Sequence, residues 1–203
     1  MKYAILGAGG MAREIGAILL EHGVPNDDIE FFVDSSFKDD YPDSKEISNL
    51  ESAPSDKLRI ILGVGSGILR ATWFSNMPRF VEHFHTLISS SAIVGQRVTI
   101  GPGGVICHGC ILTCDISIGK CSQLNVQTSL SHDVTLGDFF TCGPKVTIAG
   151  NVNVGHRVTL GAASTVLPAV TICDDVVIGA GAVVTKDITT PGTYVGIPAQ
   201  RIS

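Results

Sequence analysis

The sequence predicts a mixed fold: a small Rossmann-like βαβ domain over residues 1–87, then a parallel β-helix over residues 88–203. Three observations predict it. Aliphatic residues recur at every sixth position through the second half without a break in register. A glycine turn of the form G-x-G-x-x-A follows the first apolar run of the first half. The composition is glycine-rich and under-charged: 23 glycines in 203 residues, 44% hydrophobic and 16% charged, against about 25% charge in an ordinary domain. That balance excludes disorder, and no run approaches the ~18 apolar residues of a membrane span. A net charge of −5, a pI near 5.6 and a mean hydropathy of +0.33 argue against a nucleic-acid partner.

In the first half, Tyr3-Ala-Ile-Leu6 reads as a strand. Gly7 interrupts the apolar run, so no secretory signal is expected. A helix is predicted over residues 11–22, a second strand over Phe31-Phe-Val33, and a polar loop with at most one helical turn over 35–56. Arg59–Gly63 gives a third strand, Gly65 and Gly67 a turn, and residues 68–75 a helix. Phe84–Ile88 is expected as a fourth strand leading into the repeat. Strand, glycine turn and helix together are the context in which backbone N–H groups hold phosphate. Gly9, Gly10 and Met11 are therefore expected against a nucleotide, with Asp34 and Ser35 near its ribose or base and Gly63 lining the next strand end. The plainer reading is that these glycines only permit tight helix–strand packing. About 87 residues supply one half of a doubly wound fold, too little for a dinucleotide; a nucleotide carrying a sugar fits better.

The second half steps by six from Ile88 to Val184, and all seventeen positions are aliphatic except Cys142, itself a small hydrophobe. A period of six excludes an α-helix, whose apolar stripe returns at 3.6, and reads as one short strand per hexapeptide. The following residue is Gly at eight of the seventeen positions and Asn at 125, residues that tolerate positive φ, so a corner is expected there. Val and Ala at the fifth position suit short strands.

His132 stands out within Ser131-His132-Asp133. A neutral imidazole takes a proton near pH 7, and an adjacent carboxylate orients it. Gly150, with its N–H unshielded by a side chain, suits an oxyanion. The plainer reading is a solvated corner histidine.

The repeat resembles that of the hexapeptide acyltransferases, whose strands wind into a left-handed prism with three hexapeptides per coil. That resemblance implies nearly six coils here, with residues 18 apart stacked. It also places His108, His132 and His156, spaced by 24, on three different corners. Cys107-His-Gly-Cys110 looks superficially like a metal motif, but the six cysteines fall at scattered phases and do not converge, so no metal is expected and the thiols are read as reduced and structural.

The whole chain resembles the bacterial sugar acetyltransferases of the sialic-acid O-acetyltransferase type, which include acetyl-CoA-dependent N-acetyltransferases of nucleotide-linked amino sugars. The matching stretches are Ala4–Gly10, Phe32–Asp34, Leu124-Asn125, Ser131–Asp133, Leu136–Asp138, Ala149–Val152 and Tyr194–Ala199. The resemblance implies His132 as general base, Asp133 assisting it, Asn125 near the reacting groups and Gly150 on the acetyl carbonyl. It implies Ala162 and Ala180 against the acetyl-CoA arm, with Lys186 a candidate for its phosphates. Thr141 stands where relatives often carry a second histidine, and Met11 stands in place of another; their contributions to cofactor and nucleotide binding are thereby put in question. The expected protein is a cytoplasmic homotrimer with active sites between subunits, acetylating a nucleotide-activated amino sugar for polysaccharide biosynthesis. O-acetylation of sialic acid or another surface sugar is the alternative, and a silent β-helix scaffold a third reading.

Overall fold

The structure, a computed structural model, describes residues 1–52 and 57–203. The chain divides into two compact units, residues 1–87 and 88–203.

The first unit is built on β1 (Lys2–Leu6), α1 (Gly10–Glu21), β2 (Ile29–Val33), β3 (Lys45–Glu46), β4 (Leu58–Leu62) and α2 (Gly67–Asn76). Its strands form one parallel sheet in the order β3-β2-β1-β4. Ala4, Ile5 and Leu6 of the central strand are all buried, as expected for a parallel strand covered on both faces. α1 buries Ala12, Ile15, Ile18 and Leu19, one stripe at helical spacing.

Two expectations are corrected here. The segment predicted as a loop with at most one helical turn contains β3 and two 3-10 turns, Ser35–Phe37 and Ile47–Ser52, while its residues 53–56 lie outside the described residues. Lys45-Glu46 has no apolar pattern to betray it. Its pairing is a backbone ladder on β2, with Lys45 Nζ 2.9 Å from Glu30 Oε1. The expected fourth strand is divided. Pro78–His83 is a 3-10 helix, Phe84 makes an isolated parallel bridge to Ile60, and Leu87–Ile88 is the first strand of an eight-stranded sheet of the repeat.

The second unit is a parallel β-solenoid of about six coils. Each strand is two to four residues long and, up to the last coil, pairs with the one 18 residues on, as in Ser117↔Thr135, Thr135↔Asn153 and Thr141↔Thr159. Three sheets of five, six and eight strands result. Ile106, Leu112, Leu124, Leu130, Leu136, Ile148 and Leu160 point inward and are buried.

The corners differ from expectation in one respect. Positive φ falls two residues after the position that glycine favours, at Arg97, Asp115, Gln127, Asp133, Asn151 and their equivalents, with φ of 50–60°. The glycines have another cause. A Cβ on Gly137 would stand 2.5 Å from the Gly155 carbonyl carbon and 2.7 Å from the His156 nitrogen; one on Gly119 would stand 2.5 Å from the Gly137 carbonyl carbon. Stacked coils approach too closely there for any side chain.

Candidate functional site

His132 lies on the corner between strands Ser129–Leu130 and Thr135–Leu136. Its Nδ1 is 2.7 Å from Asp133 Oδ2, and both side chains are more than half exposed. A carboxylate only accepts, so in the neutral ring Nδ1 carries the proton and Nε2 keeps its lone pair. One coil on, a Cβ at Gly150 would fall 2.6 Å from His132 Cε1 and 2.7 Å from Nε2, so only glycine leaves the ring its place. Asn151 N–H donates to His132 O at 3.0 Å, whereas the Gly150 N–H has no hydrogen-bond partner among the described residues.

The His156 corner is wired differently. Lys120 N–H donates to Asp138 Oδ1, Asp138 N–H to His156 Nδ1, and His156 N–H to Asp174 Oδ1, at 2.9–3.0 Å. Each corner amide is capped by the side chain 18 residues on. On the His132 corner the corresponding residues are Gly150 and Pro168, which have no acceptor to offer. His156 Nδ1 is thus spent on a backbone amide, whereas His132 Nδ1 is turned onto Asp133.

Below Asp133, Arg97 grips Asp115 with two bonds, Nε–Oδ1 at 2.5 Å and Nη2–Oδ2 at 2.8 Å. Those bonds hold the Asp115 carboxyl below the usual carboxylate range and push the guanidinium up.

The remaining residues predicted for the acetyl group and its carrier are distributed over the solenoid. Asn125 is on another corner, across the Ser129–Leu130 strand from His132. Its Nδ2 donates to Cys142 O at 2.9 Å, so within one copy it does not reach His132. Ala162 and Ala180 are exposed on that same corner. Thr141 is buried within a strand, between Gln123 and Thr159, and lies on neither corner. Lys186 is exposed on the His132 corner, where the last turn is two residues short: Val184 pairs 18 residues back and Ile188 only 16. It lines a hollow of about 330 Å³ with Asp187, Tyr194 and Arg201.

Among the described residues, no three His, Cys, Asp or Glu side chains converge to hold a metal. Burial pushes the Cys142 thiol up to about 12 and raises Cys110 as well, which keeps both protonated and poor nucleophiles.

In the first unit, Gly9, Gly10, Met11, Asp34 and Gly63 come together around a cavity of about 320 Å³. Ser35 does not line it. The partner of Asp34 is Ser36, whose N–H and Oγ–H donate to Asp34 Oδ1 at 3.1 and 2.8 Å and hold that carboxyl below its usual value. The glycines divide by cause. A Cβ on Gly63 would stand 2.7 Å from Ile5 Cγ2 and 2.8 Å from Ala12 Cβ, so Gly63 is a packing glycine. Gly10 has nothing within 4 Å and Gly9 only the Tyr41 hydroxyl at 3.7 Å, so packing does not explain them. The first turn of α1 carries neither an acidic residue nor a side-chain cap, which leaves its N–H groups to the cavity.

Sequence reasoning missed the cavity's aromatic lining, Phe37, Tyr41 and Trp73, and its neighbour Leu69. One signal was available: Leu69 and Trp73, the single tryptophan, stand four apart in a predicted helix and so share a face. Buried Arg70 was missed too; its Nη1 donates to Val64 O and Gly65 O at 2.9 Å and holds the loop beside the cavity. Among the described residues, no helix is long and apolar enough to cross a membrane.

No family model matches the chain, and no curated protein sequence does. Solved structures do. PerB, the perosamine N-acetyltransferase of Caulobacter crescentus, in complex with CoA and GDP-perosamine, is 27% identical, with a TM-score of 0.89 over 100% of this chain and 98% of that one. The acetyltransferase domain of PglB from Neisseria gonorrhoeae, in complex with acetyl coenzyme A, is 24% identical, with a TM-score of 0.90 over 99% and 98%. WeeI from Acinetobacter baumannii is 23% identical, with a TM-score of 0.90 over 99% of each chain. The last two likenesses concern the fold. The resemblance to sugar acetyltransferases read from the sequence thus extends over the whole chain in three dimensions.

Proposed function

We propose that this chain transfers the acetyl group of acetyl-CoA to the amine of a nucleotide-linked amino sugar, with His132 as general base in a direct ternary-complex reaction. The observation that carries it is the His132 corner: an imidazole oriented by Asp133, with Nε2 left free, against the open amide of Gly150. Nε2 takes the proton as the neutral amine attacks the thioester carbonyl, and the Gly150 N–H donates to the developing oxyanion. Collapse of that intermediate expels the CoA thiolate, which takes the proton back from His132. No cysteine carries the acyl group. The full-length likeness to an N-acetyltransferase bound to CoA and GDP-perosamine supports the substrate class.

The glycine-turn cavity is the nucleotide-sugar pocket of a Rossmann-like domain, and the prism is left-handed. One copy holds His132, Gly150 and Lys186 on one corner and Asn125, Ala162 and Ala180 on another. A homotrimer completes the site when the Asn125 corner of one copy faces the His132 corner of the next. The acetyl-CoA arm then runs along Ala162 and Ala180, and Lys186 lies near its phosphates.

Thiol release from acetyl-CoA over a panel of nucleotide amino sugars tests this reading. His132→Ala is expected to lower kcat by about 10²–10⁴-fold, the usual worth of a general base. Turnover unchanged in that variant, or no release with any amino sugar, would overturn it.

A further inference from the structure

Beside the glycine-turn cavity lies a second and larger one, of about 500 Å³, within the same unit. The two cavities share Asp34 and Trp73. Beyond that pair the lining changes character. Leu50, Met77 and Phe80 make apolar walls, while Asn76 and Arg79 supply donors at the edge. The Arg79 guanidinium carbon lies 4.6 Å from the Phe80 ring centroid, which stacks it along the wall. Asp34 is exposed, and Ser36 occupies only its Oδ1; Oδ2 has no hydrogen-bond partner among the described residues.

We propose that this second cavity receives the base of the nucleotide and selects guanine through Asp34 and Arg79; the inference rests on the nucleotide-sugar reading above. A flat aromatic wall suits any base, because bases stack on Trp whatever their edges. The edges decide. A carboxylate oxygen with both lone pairs open, as Asp34 Oδ2 is, accepts from two adjacent donors, and guanine alone among the common bases presents them, N1–H beside N2–H₂. Uracil and thymine offer one N–H between two carbonyls, which a carboxylate repels. Cytosine and adenine set their amino group beside a bare ring nitrogen. Guanine's other edge carries the acceptors O6 and N7, which arginine reads best. A cavity lined by a carboxylate, a guanidinium and a carboxamide offers partners for both edges.

Titration calorimetry of the full chain with GDP, ADP, UDP, dTDP and CDP tests the assignment. GDP is expected to bind about tenfold or more tighter than each of the others, the discrimination that one good bidentate contact supplies. Asp34→Asn keeps an acceptor for Ser36 and is expected to weaken GDP by about tenfold while leaving UDP nearly unchanged. Arg79→Gln, outside the Ser36 turn, is expected to weaken GDP selectively and carries the test if the first variant loses its fold. UDP or dTDP binding as tightly as GDP would overturn the guanine assignment alone, as would equal weakening of all five by Asp34→Asn. Binding of none of them would overturn the nucleotide-sugar reading as well.

Discussion

His132 and His156 occupy the same hexapeptide position, yet only the neutral His132 ring keeps a lone pair free, because His156 spends its own on the Asp138 amide. The difference is what Nδ1 meets: the Asp138 amide for His156, the Asp133 carboxylate for His132. Asp174 caps the His156 amide, and His156 itself caps Asp138. Gly150 and Pro168 cap nothing, so His132 and the Gly150 amide stay open on one corner. The sequence carried this contrast in plain view, in the bare glycine 18 residues after the histidine. It did not show that Asn125 is turned onto Cys142 O, since a side chain's partner depends on which carbonyl the next coil presents. Gly150→Ala tests the corner at this scale. The added Cβ displaces the ring, whose exposed side chain can move, so kcat is expected to fall about 10²-fold, the cost of misplacing a reacting group by about 1 Å. The melting temperature should hardly change. Wild-type turnover from this variant would show that the ring position does not matter.

Single coils are held by two different requirements that a sequence pattern confounds. The αL residues, such as Asp133 and Asn151, turn the chain, while the hexapeptide glycines let coils stack. Both lie near corners, and glycine satisfies either, so its presence alone assigned the positive φ to the wrong residue. Gly137→Ala separates them. Its Cβ meets the Gly155 carbonyl and the His156 nitrogen, backbone atoms that cannot swing aside. Overpacking of that kind is expected to cost about 2–3 kcal/mol in urea unfolding. A cost near zero would mean that the coils part without penalty. The short strand β3 illustrates the opposite limit, an element with no apolar signature because it is held by its ladder to β2 and an ion pair.

For the whole molecule, composition and architecture agree. A solenoid that buries one or two aliphatic residues in most of its hexapeptides and turns on small residues needs few charges, which accounts for the 16% charged fraction. Its core also sets an alkaline limit. Cys142 titrates near 9.0 in an unfolded chain and near 12 when folded. Below pH 9 neither state ionises it and stability is full. Above pH 9 the unfolded chain releases the proton and the folded one does not, so stability falls with rising pH until about 12. Between pH 9 and 11, Cys142→Ala is expected to lose stability less steeply than the parent, by about 1 kcal/mol per pH unit. Parallel slopes in urea unfolding would sink this prediction. The six-residue period by itself determined the parallel solenoid, because burial of one face repeats wherever the chain repeats. Only the tertiary structure decided which groups of each unit are free, since capping of His156, the turn of Asn125 and, in the first unit, the Trp73 wall arise from residues brought together from distant positions.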